Sequence, residues 1–426
     1  MHVYFLGISG AGIGPLALIA HQAGYEVSGS DKQDSNYLRY LKEHGITEIS
    51  IGSSDEHIAG VHAANPIDWV VYSSAVPKEQ PDHPILKFAE SQGIRSTKRD
   101  EFLNELLTQK NLKLIAVAGT HGKTTTTAMV VWLFKQLGVP ISYSVGGKLS
   151  FGDMGEFDPK SEYFVYECDE YDRNFLSFNP YLSLLSGIDW DHPDIFPTRE
   201  DYYSAFQQFV DQSVTVIAWQ IDIDKARLSG SQLIGLAEQP PGLASLKLAG
   251  EVNRRNARLS MQALAEITDE DLGILAEIMN KFPGVSRRFE QLTTNIYSDY
   301  AHTPDKIRGA LQLAHETAGE NVVVVYEGLH NTRQHFIKDD LVHLFDSVKK
   351  LYVVPSYRAR EDESLEDLTP EKIIALTAHP EKAEPVSMDE HLLAKIKNHA
   401  DNGDLVLCLT AGGGASLDEW LRLALK

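Results

Sequence analysis

The chain has 426 residues, a formal net charge of −21, 43% hydrophobic residues and two cysteines. That length favours two or three domains, and the composition is that of an ordinary globular protein. The acidic balance argues against a general nucleic-acid binder, no apolar run approaches the roughly 18 residues of a membrane span, and Cys168 and Cys408 suggest no disulfide framework. Any anionic substrate must then be met by local cations, helix ends and metal, because the mean field repels it. The opening MHVYFLGISG has no basic n-region and runs straight into a glycine turn. It reads as a first strand and not as a signal peptide, and a reducing cytoplasm is the simplest setting.

Residues 1–107 alternate strand and helix patterns. VYFLGI (3–8) is a strand, Gly7, Ser9, Gly10, Ala11 and Gly12 form a turn, and residues 16–23 are helical. YEVSGSD (25–31) is a second strand ending in Asp31. Glycines at the first crossover and an acid at the end of the second strand have the form of a dinucleotide-binding start. The glycine order is GxxGxG rather than GxGxxG, so dinucleotide binding and a plain glycine crossover both stay open. WVVYSSAV (69–76) is a strand whose end carries Ser73, Ser74 and Ala75, small residues that admit a ligand. RSTKRDEFLNELL (95–107) reads as a capped helix leading out of the region.

Residues 108–284 open on the most informative stretch. An apolar strand at 114–118 is followed by Gly119, Thr120, His121, Gly122, Lys123, Thr124 and Thr125, and then by apolar residues at helical spacing. Strand, glycine turn and helix make a phosphate-binding loop, in which backbone N–H groups and the helix N-terminus converge on phosphate oxygens. Lys123 supplies a full positive charge and Thr124 a hydroxyl suited to Mg²⁺. The standard first glycine is replaced by Val117, so the loop is a variant. YFVYECDE (163–170) is a strand with Glu167, Asp169 and Glu170 at its end, and YLSLLSGID (181–189) leads into Asp189, Trp190, Asp191, His192, Pro193 and Asp194. Open α/β sheets hold their ligands at such strand ends. If these two strands flank that of the loop, Glu167 and His192 face the phosphates, and a carboxylate there suits a hard Mg²⁺ ion. GEVNRRNARLSMQALAEI (250–267) reads as a turn and an amphipathic helix, with Asn253 and Asn256 placed either to bond a base or to cap the helix.

After a joint at Phe282, Pro283 and Gly284, residues 285–426 form a last α/β region. Its strands are NIYSDYA, NVVVVYEG, KLYVVPSY and DLVLCLTAGGG. Arg287, Arg288, Asp299, His302 and Arg333 sit at or beside their ends, although a surface arginine is more often a solvating group than a ligand.

Five segments fall in a telling order: GTHGKTTTT (119–127), ECDEYDRNF (167–175), DHPDIF (191–196), GVSRRFE (284–290) and DYAHTP (299–304). With FLGISGAGIG (5–14), GSD (29–31), VVYSSAV (70–76) and RDEFLNELL (99–107), they make the chain resemble the Mur ligases, the ATP-dependent amino-acid ligases of peptidoglycan synthesis, over nearly its whole length. The resemblance implies three α/β domains: a Rossmann-like UDP-sugar domain (1–107), a central P-loop ATP domain (108–284) and a Rossmann-like C-terminal domain (285–426) that closes over ATP. It implies that residues 119–125 bind ATP, with Lys123 on the β- and γ-phosphates and Thr124, Glu167 and His192 around Mg²⁺. Asn256 would contact the nucleotide, Arg288 and Asp299 would close over it, and His302 and Arg333 would stand near the incoming amino acid.

The glycine turn, Gly7 to Gly12, with Asp31, Ser73 and Ser74, is thereby reassigned to the UDP of a UDP-N-acetylmuramate substrate. The N-terminal motifs are similar to those of alanine-adding members, which points to L-alanine as acceptor. DHPDIF and the ExxxNT pattern at 327–332 are also similar to members that attach a whole tripeptide. Val252 stands where the family has histidine, and His330 where it has an arginine. A regulatory ATPase is the alternative of another class, and an NAD oxidoreductase would explain the first region alone.

Overall fold

The computed structural model describes residues 1–52, 54–192, 195–357, 361–362, 364–411 and 416–426. Pro193 and Asp194 of the DHPDIF segment and the glycines 412–414 lie outside the described residues.

Three mostly parallel sheets follow one another along the chain. The first holds β1 (His2–Leu6), β2 (Glu26–Asp31), β3 (Ile49–Ile51), β4 (Trp69–Tyr72) and β5 (Arg95–Lys98), in the order β3-β2-β1-β4-β5. All its neighbours are parallel. Because β2 and β4 lie on opposite sides of β1, the chain reverses its winding there. The crevice at the carboxyl ends therefore opens over the turn after β1, beside Asp31 and Ser73.

The second sheet holds β6 (Lys113–Ala118), β7 (Ser142–Ser144), β8 (Gly155–Glu156), β9 (Tyr163–Glu167), β10 (Leu182–Leu185), β11 (Thr215–Trp219) and β12 (Leu233–Leu236), in the order β12-β11-β10-β6-β9-β7-β8. Only the β7–β8 pairing is antiparallel. β9 and β10 do flank β6, with Glu167 level with Val117 and Leu185 level with Ala118. The third sheet holds β13 (Glu290–Thr293), β14 (Ile296–Asp299), β15 (Val322–Glu327), β16 (Lys350–Val354), β17 (Ala383–Pro385) and β18 (Leu405–Leu409), in the order β13-β14-β18-β15-β16-β17. Its β13–β14 pair is antiparallel and the others are parallel.

Parallel strands covered on both faces need apolar residues in unbroken runs. LIAVA of β6, VVVVYE of β15 and LVLCL of β18 are buried throughout. In the first sheet Phe5 and Trp69 pack edge-on against Phe102 of the helix Arg99–Gln109, at ring separations of 5.3 and 5.2 Å. That contact fastens the helix leading to the second sheet onto the first.

The chain divides into two compact units. One comprises residues 1–246 and 256–282 and holds the first two sheets; the other comprises 247–255 and 283–426 and holds the third. In the second unit Arg254 reaches Glu316 at 2.9 and 3.1 Å, and the Gly250 N–H donates to the same carboxylate at 2.8 Å. Among the described residues no helix is long and apolar enough to cross a membrane.

Three local expectations need correction. RSTK is the edge strand β5 rather than part of a helix: Thr97 is paired with Val71 and accepts from Trp69 Nε1 at 2.8 Å. The helix after it has no side-chain cap. The strand at 69–76 stops at Tyr72, and Ala75 already begins a short helix, Ala75–Glu79. The helix Glu251–Thr268 starts before Asn253, so neither asparagine caps it; Asn253 Nδ2 bonds the Ala249 carbonyl at 3.0 Å, and Asn256 is buried within the helix.

Candidate active site

The phosphate loop joins β6 to the helix Lys123–Gln136. Both of its glycines are required. Gly119 has φ +131° and Gly122 has φ +78°, backbone that L side chains rarely adopt. A Cβ on Gly119 would also lie 2.7 Å from the Gly187 carbonyl oxygen, and one on Gly122 would lie 2.7 Å from Asn256 Oδ1. The loop is stitched to the end of β10. Thr120 N donates to Gly187 O at 2.8 Å, and Thr120 Oγ1 bonds Asp189 O at 2.6 Å and Tyr202 Oη at 2.7 Å. The Thr120 side chain therefore shapes the loop rather than facing outward.

His121 Nε2 stands 3.5 Å from Asp189 Oδ2, and Lys225 holds Asp189 Oδ1 at 2.6 Å. Those two partners, His121 first, keep the Asp189 carboxyl well below the usual range. The first intrahelical bond runs from Thr126 N to Gly122 O. The N–H groups of Lys123, Thr124 and half-buried Thr125 precede it, as an anion-binding helix start requires.

Around this loop stand the tips of β9 and β10. Thr124 Oγ1 donates to Glu167 Oε1 at 2.9 Å, and Gly146 N donates to Glu167 Oε2 at 2.9 Å. Lys123 Nζ donates to its own loop at Gly119 O and to Glu170 Oε2, both at 2.6 Å. Glu170 Oε1 lies 3.5 Å from His192 Nε2. Burial alone would push the Glu170 carboxyl up, but Lys123 and His192 outweigh it and hold it well below the usual range. Burial likewise opposes the Lys123 ammonium, while Glu170, Asp169 and Glu167 raise its pKa above that of an ordinary lysine. His192 has φ +58°, as Asp172 and Arg173 have φ +56° and +58°, so both tips carry left-handed backbone at non-glycine residues.

The expected group of Lys123, Thr124, Glu167 and His192 is thus brought together, but with a difference. His192 meets Glu170 rather than Glu167, and sequence reasoning had given Glu170 no role. A hydroxyl and a carboxylate oxygen 2.9 Å apart are hard donors of the kind Mg²⁺ takes. Among the described residues no group of three histidine, cysteine or acidic side chains gathers to hold a metal. That donor set fits an ion which keeps water and phosphate oxygens as its remaining ligands.

The N-terminal turn is also ordered. Gly7 has φ +78°, and the N–H groups of Gly7 and Ile8 donate to Ser30 O. Ser9 N donates to Asp31 Oδ2 at 2.8 Å, so Asp31 ties the tips of β1 and β2 together. Gly10 N bonds Gly7 O at 3.0 Å; Gly10 and Ala11 are exposed, and Ser73 and Ser74 are half-buried past β4. A Cβ on Gly12 would collide with the Arg99 guanidinium, which lies between this turn and Asp169. Arg99 was not foreseen; its signal was the basic residue opening RDEFLNELL.

In the second unit the residues expected to act together cluster at the carboxyl ends of β14 and β15. Arg287 and Phe289 have φ +60° and +48°, and Arg288 between them donates to Tyr300 O at 3.3 Å. Asp299 Oδ2 accepts from Phe289 N at 2.7 Å, and burial, opposed by Arg288, pushes the Asp299 carboxyl up to about 6. His302 is 7% exposed, and among the described residues its Nδ1 meets no hydrogen-bond partner. Burial first, then the charges of Lys306, Arg288 and Arg333, hold its imidazole well below the usual histidine pKa, hence neutral near pH 7. Arg333 lies in the first turn of the helix Asn331–Ile337, its N–H on His330 O at 3.0 Å. Buried Glu327 accepts from Thr410 Oγ1, Ala411 N and Leu417 N at 2.7, 3.1 and 3.2 Å.

A parallel sheet with a phosphate loop at a helix start, a hydroxyl–carboxylate pair beside it and a paired lysine define a nucleoside-triphosphate-using α/β enzyme. Comparison with known proteins narrows the class. Residues 2–111 match the Mur ligase family catalytic domain, 117–232 the Mur ligase middle domain and 287–412 the Mur ligase glutamate ligase domain. The UDP-N-acetylmuramate–L-alanine ligase of Clostridium perfringens is 31% identical over 98% of this chain and 96% of its own length. That of Myxococcus xanthus is 32% identical over 99% and 95%. The chain belongs to the Mur ligase family, ATP-dependent ligases of peptidoglycan synthesis.

Solved structures share the fold. A UDP-N-acetylmuramate-alanine ligase from Thermotoga maritima has a TM-score of 0.75 at 24% identity, covering 100% of this chain and 98% of that one. A murein peptide ligase from Psychrobacter arcticus has a TM-score of 0.67 at 23% identity, with the same coverage.

Proposed function

We propose that this ligase joins L-alanine to UDP-N-acetylmuramate through an acyl phosphate, with Mg²⁺, in the cytoplasm. The observation that carries the reading is the Thr124–Glu167 pair beside Lys123 at the start of a helix. The residue ranges 1–107, 108–284 and 285–426 are the corresponding UDP-sugar, ATP and acceptor regions. The relatives at 31% and 32% identity bear the name of the alanine ligase, which favours L-alanine over a tripeptide.

The lactyl carboxylate attacks the γ-phosphorus, the β–γ bridging bond breaks, and ADP leaves with that electron pair. The alanine amine then attacks the acyl carbon and inorganic phosphate departs. The first step brings an anion against a polyanion, so catalysis is mostly charge neutralisation and alignment. Lys123 and the helix N–H groups bind the phosphates. Thr124 and Glu167, with His192 near them, would hold Mg²⁺, which supplies charge neutralisation at phosphate oxygens. Asn256 lines the nucleotide side of the loop, and Asp299 fixes the backbone that presents Arg288. Gly7, Ser9, Gly10, Ala11, Gly12, Asp31, Ser73 and Ser74 seat the UDP moiety. In the second unit, Arg288 supplies positive charge for the nucleotide phosphates, and Arg333 attracts the acceptor carboxylate. His302, kept neutral by burial, is suited to take the amine proton.

Phosphate release measured with ATP and UDP-N-acetylmuramate, across candidate amino acids and the tripeptide, tests this. Release that needs L-alanine supports it; release that needs the tripeptide corrects the acceptor; release without the sugar nucleotide defines a plain ATPase.

A further inference from the structure

The pairing of Lys123 with Glu170 has a consequence beyond holding the loop together. Glu170 is 1% exposed, and a carboxylate is costly to bury unless its charge is met. Here it is met on both oxygens: Oε2 takes Lys123 Nζ at 2.6 Å, and Oε1 faces His192 Nε2 at 3.5 Å. The second contact of Lys123 is the carbonyl of Gly119 in its own loop, at 2.6 Å. The ammonium is thereby fixed between two points, one on β6's loop and one beyond β9. Glu167, on the same tip, points instead to Thr124 and Gly146. Two acids three residues apart thus serve two different neighbours in the phosphate loop.

We infer that Glu170 is a positioning residue for ATP-dependent ligation: it sets Lys123 in place before the nucleotide arrives and competes with the phosphates for it. The inference rests on the proposed use of Lys123 against ATP. A buried anion beside the γ-phosphate site opposes the approach of a triphosphate, because Coulomb terms are strong where water is excluded. The same anion keeps the lysine from moving with the phosphates, so its charge stands where the transferring group needs it. Ground-state affinity is thereby lowered and the chemical step is favoured, a division that only differential binding can give.

Glu170→Gln keeps the shape and removes the charge. It is expected to tighten ADP binding by about 3-fold or more while lowering kcat by about 10-fold or more. Glu170→Asp keeps the charge on a shorter arm and is expected to restore ADP affinity close to that of the unaltered enzyme, with part of kcat. A purely structural role would instead weaken ADP binding and lower kcat together.

The decisive arm is ADP titration of the full-length protein, with Glu170→Gln placed both on the natural chain and on Lys123→Met. The expected result is a gain in affinity on the natural chain that vanishes once Lys123 is Met. A gain that persists on Lys123→Met, weaker binding on the natural chain, or an unchanged kcat overturns the inference. Should Glu170→Gln fail to fold, the Asp variant decides: weakened ADP binding there counts against it, and retained affinity with reduced kcat supports it. ADP binding needs neither the sugar nucleotide nor the acceptor. Failure of the ligase reading would therefore show in the substrate assay and leave this titration interpretable.

Discussion

The Thr124 hydroxyl donates to Glu167 Oε1 at 2.9 Å, tying the first turn of the phosphate-loop helix to the tip of β9. The bond joins two segments more than forty residues apart in sequence, and it exists because β6 and β9 are neighbours in register. Glu167 is expected to serve metal binding, and Glu167→Gln should raise the Mg²⁺ concentration for half-maximal turnover by about 10- to 100-fold. Titrating Mg²⁺ at fixed ATP checks it; an unchanged requirement would remove Glu167 from the metal site.

Lys123→Ala is expected to abolish measurable turnover. It also strips buried Glu170 of its lysine partner, leaving His192 Nε2 at 3.5 Å from the carboxylate, which costs about 3 kcal/mol. Thermal denaturation should show a lower Tm for Lys123→Ala and a partial return in the double variant with Glu170→Gln. A Tm equal to that of the natural chain would mean that the pair carries no stability.

Gly122→Ala meets two penalties at once: φ +78° and a Cβ 2.7 Å from Asn256 Oδ1. Gly138, at φ +69° with nothing within 4 Å of its Cβ, meets the first alone. Both alanine variants should lose about 1 kcal/mol to backbone strain. Only Gly122→Ala should also weaken ADP binding, by about 10-fold. Equal ADP affinities in the two variants would contradict the crowding at Asn256.

His302 makes a pH prediction. Burial, with Lys306, Arg288 and Arg333, puts its folded-state pKa below that of the unfolded chain. The stability it contributes is therefore intact above about 6.5 and lost as pH falls from there toward the folded value. Asp299 has the opposite sign: burial raises it to about 6, so its contribution is present at low pH and lost as pH rises through that value. Denaturant midpoints at pH 7.5 and pH 5 should fall more steeply for the natural chain than for His302→Gln. Parallel slopes would show that His302 does not titrate in this way.

Much of this was legible because parallel strands leave a plain mark. The buried runs of β6, β15 and β18 are continuous apolar segments, and each ends in the polar residues that the sheet presents at its carboxyl edge. The short strands and the polar edge strand left no such mark. β3, β7, β8 and β17 have two or three residues each, and β5 reads RSTK, with polar side chains on an edge next to β4. Their pairing comes from neighbours distant in sequence, which local pattern cannot show. Asn253 and Asn256 left a cap and a base contact both open, because asparagine favours helix starts. The helix begins earlier, at Glu251, which removes the cap, and it buries Asn256 against Gly122.

Glu170 was hidden for a different reason. Three acids crowd 167–170, and strand alternation alone gives no ground for sending Glu167 to Thr124 and Glu170 to Lys123. The chain leaves the strand after Glu167, and a tight turn through Asp169 and Tyr171 directs Glu170 inward. Arg99 was obscured in the same way, since its partners at Gly12 and Asp169 belong to different sheets.

The most direct measurement of the central claim is phosphate release by the full-length protein in the presence of Mg²⁺ and ATP. Substrates are supplied singly and together. Release only when UDP-N-acetylmuramate and L-alanine are both present, with UDP-N-acetylmuramoyl-L-alanine formed in equal amount, is the expected result. Release that proceeds at the same rate without the sugar nucleotide would contradict it.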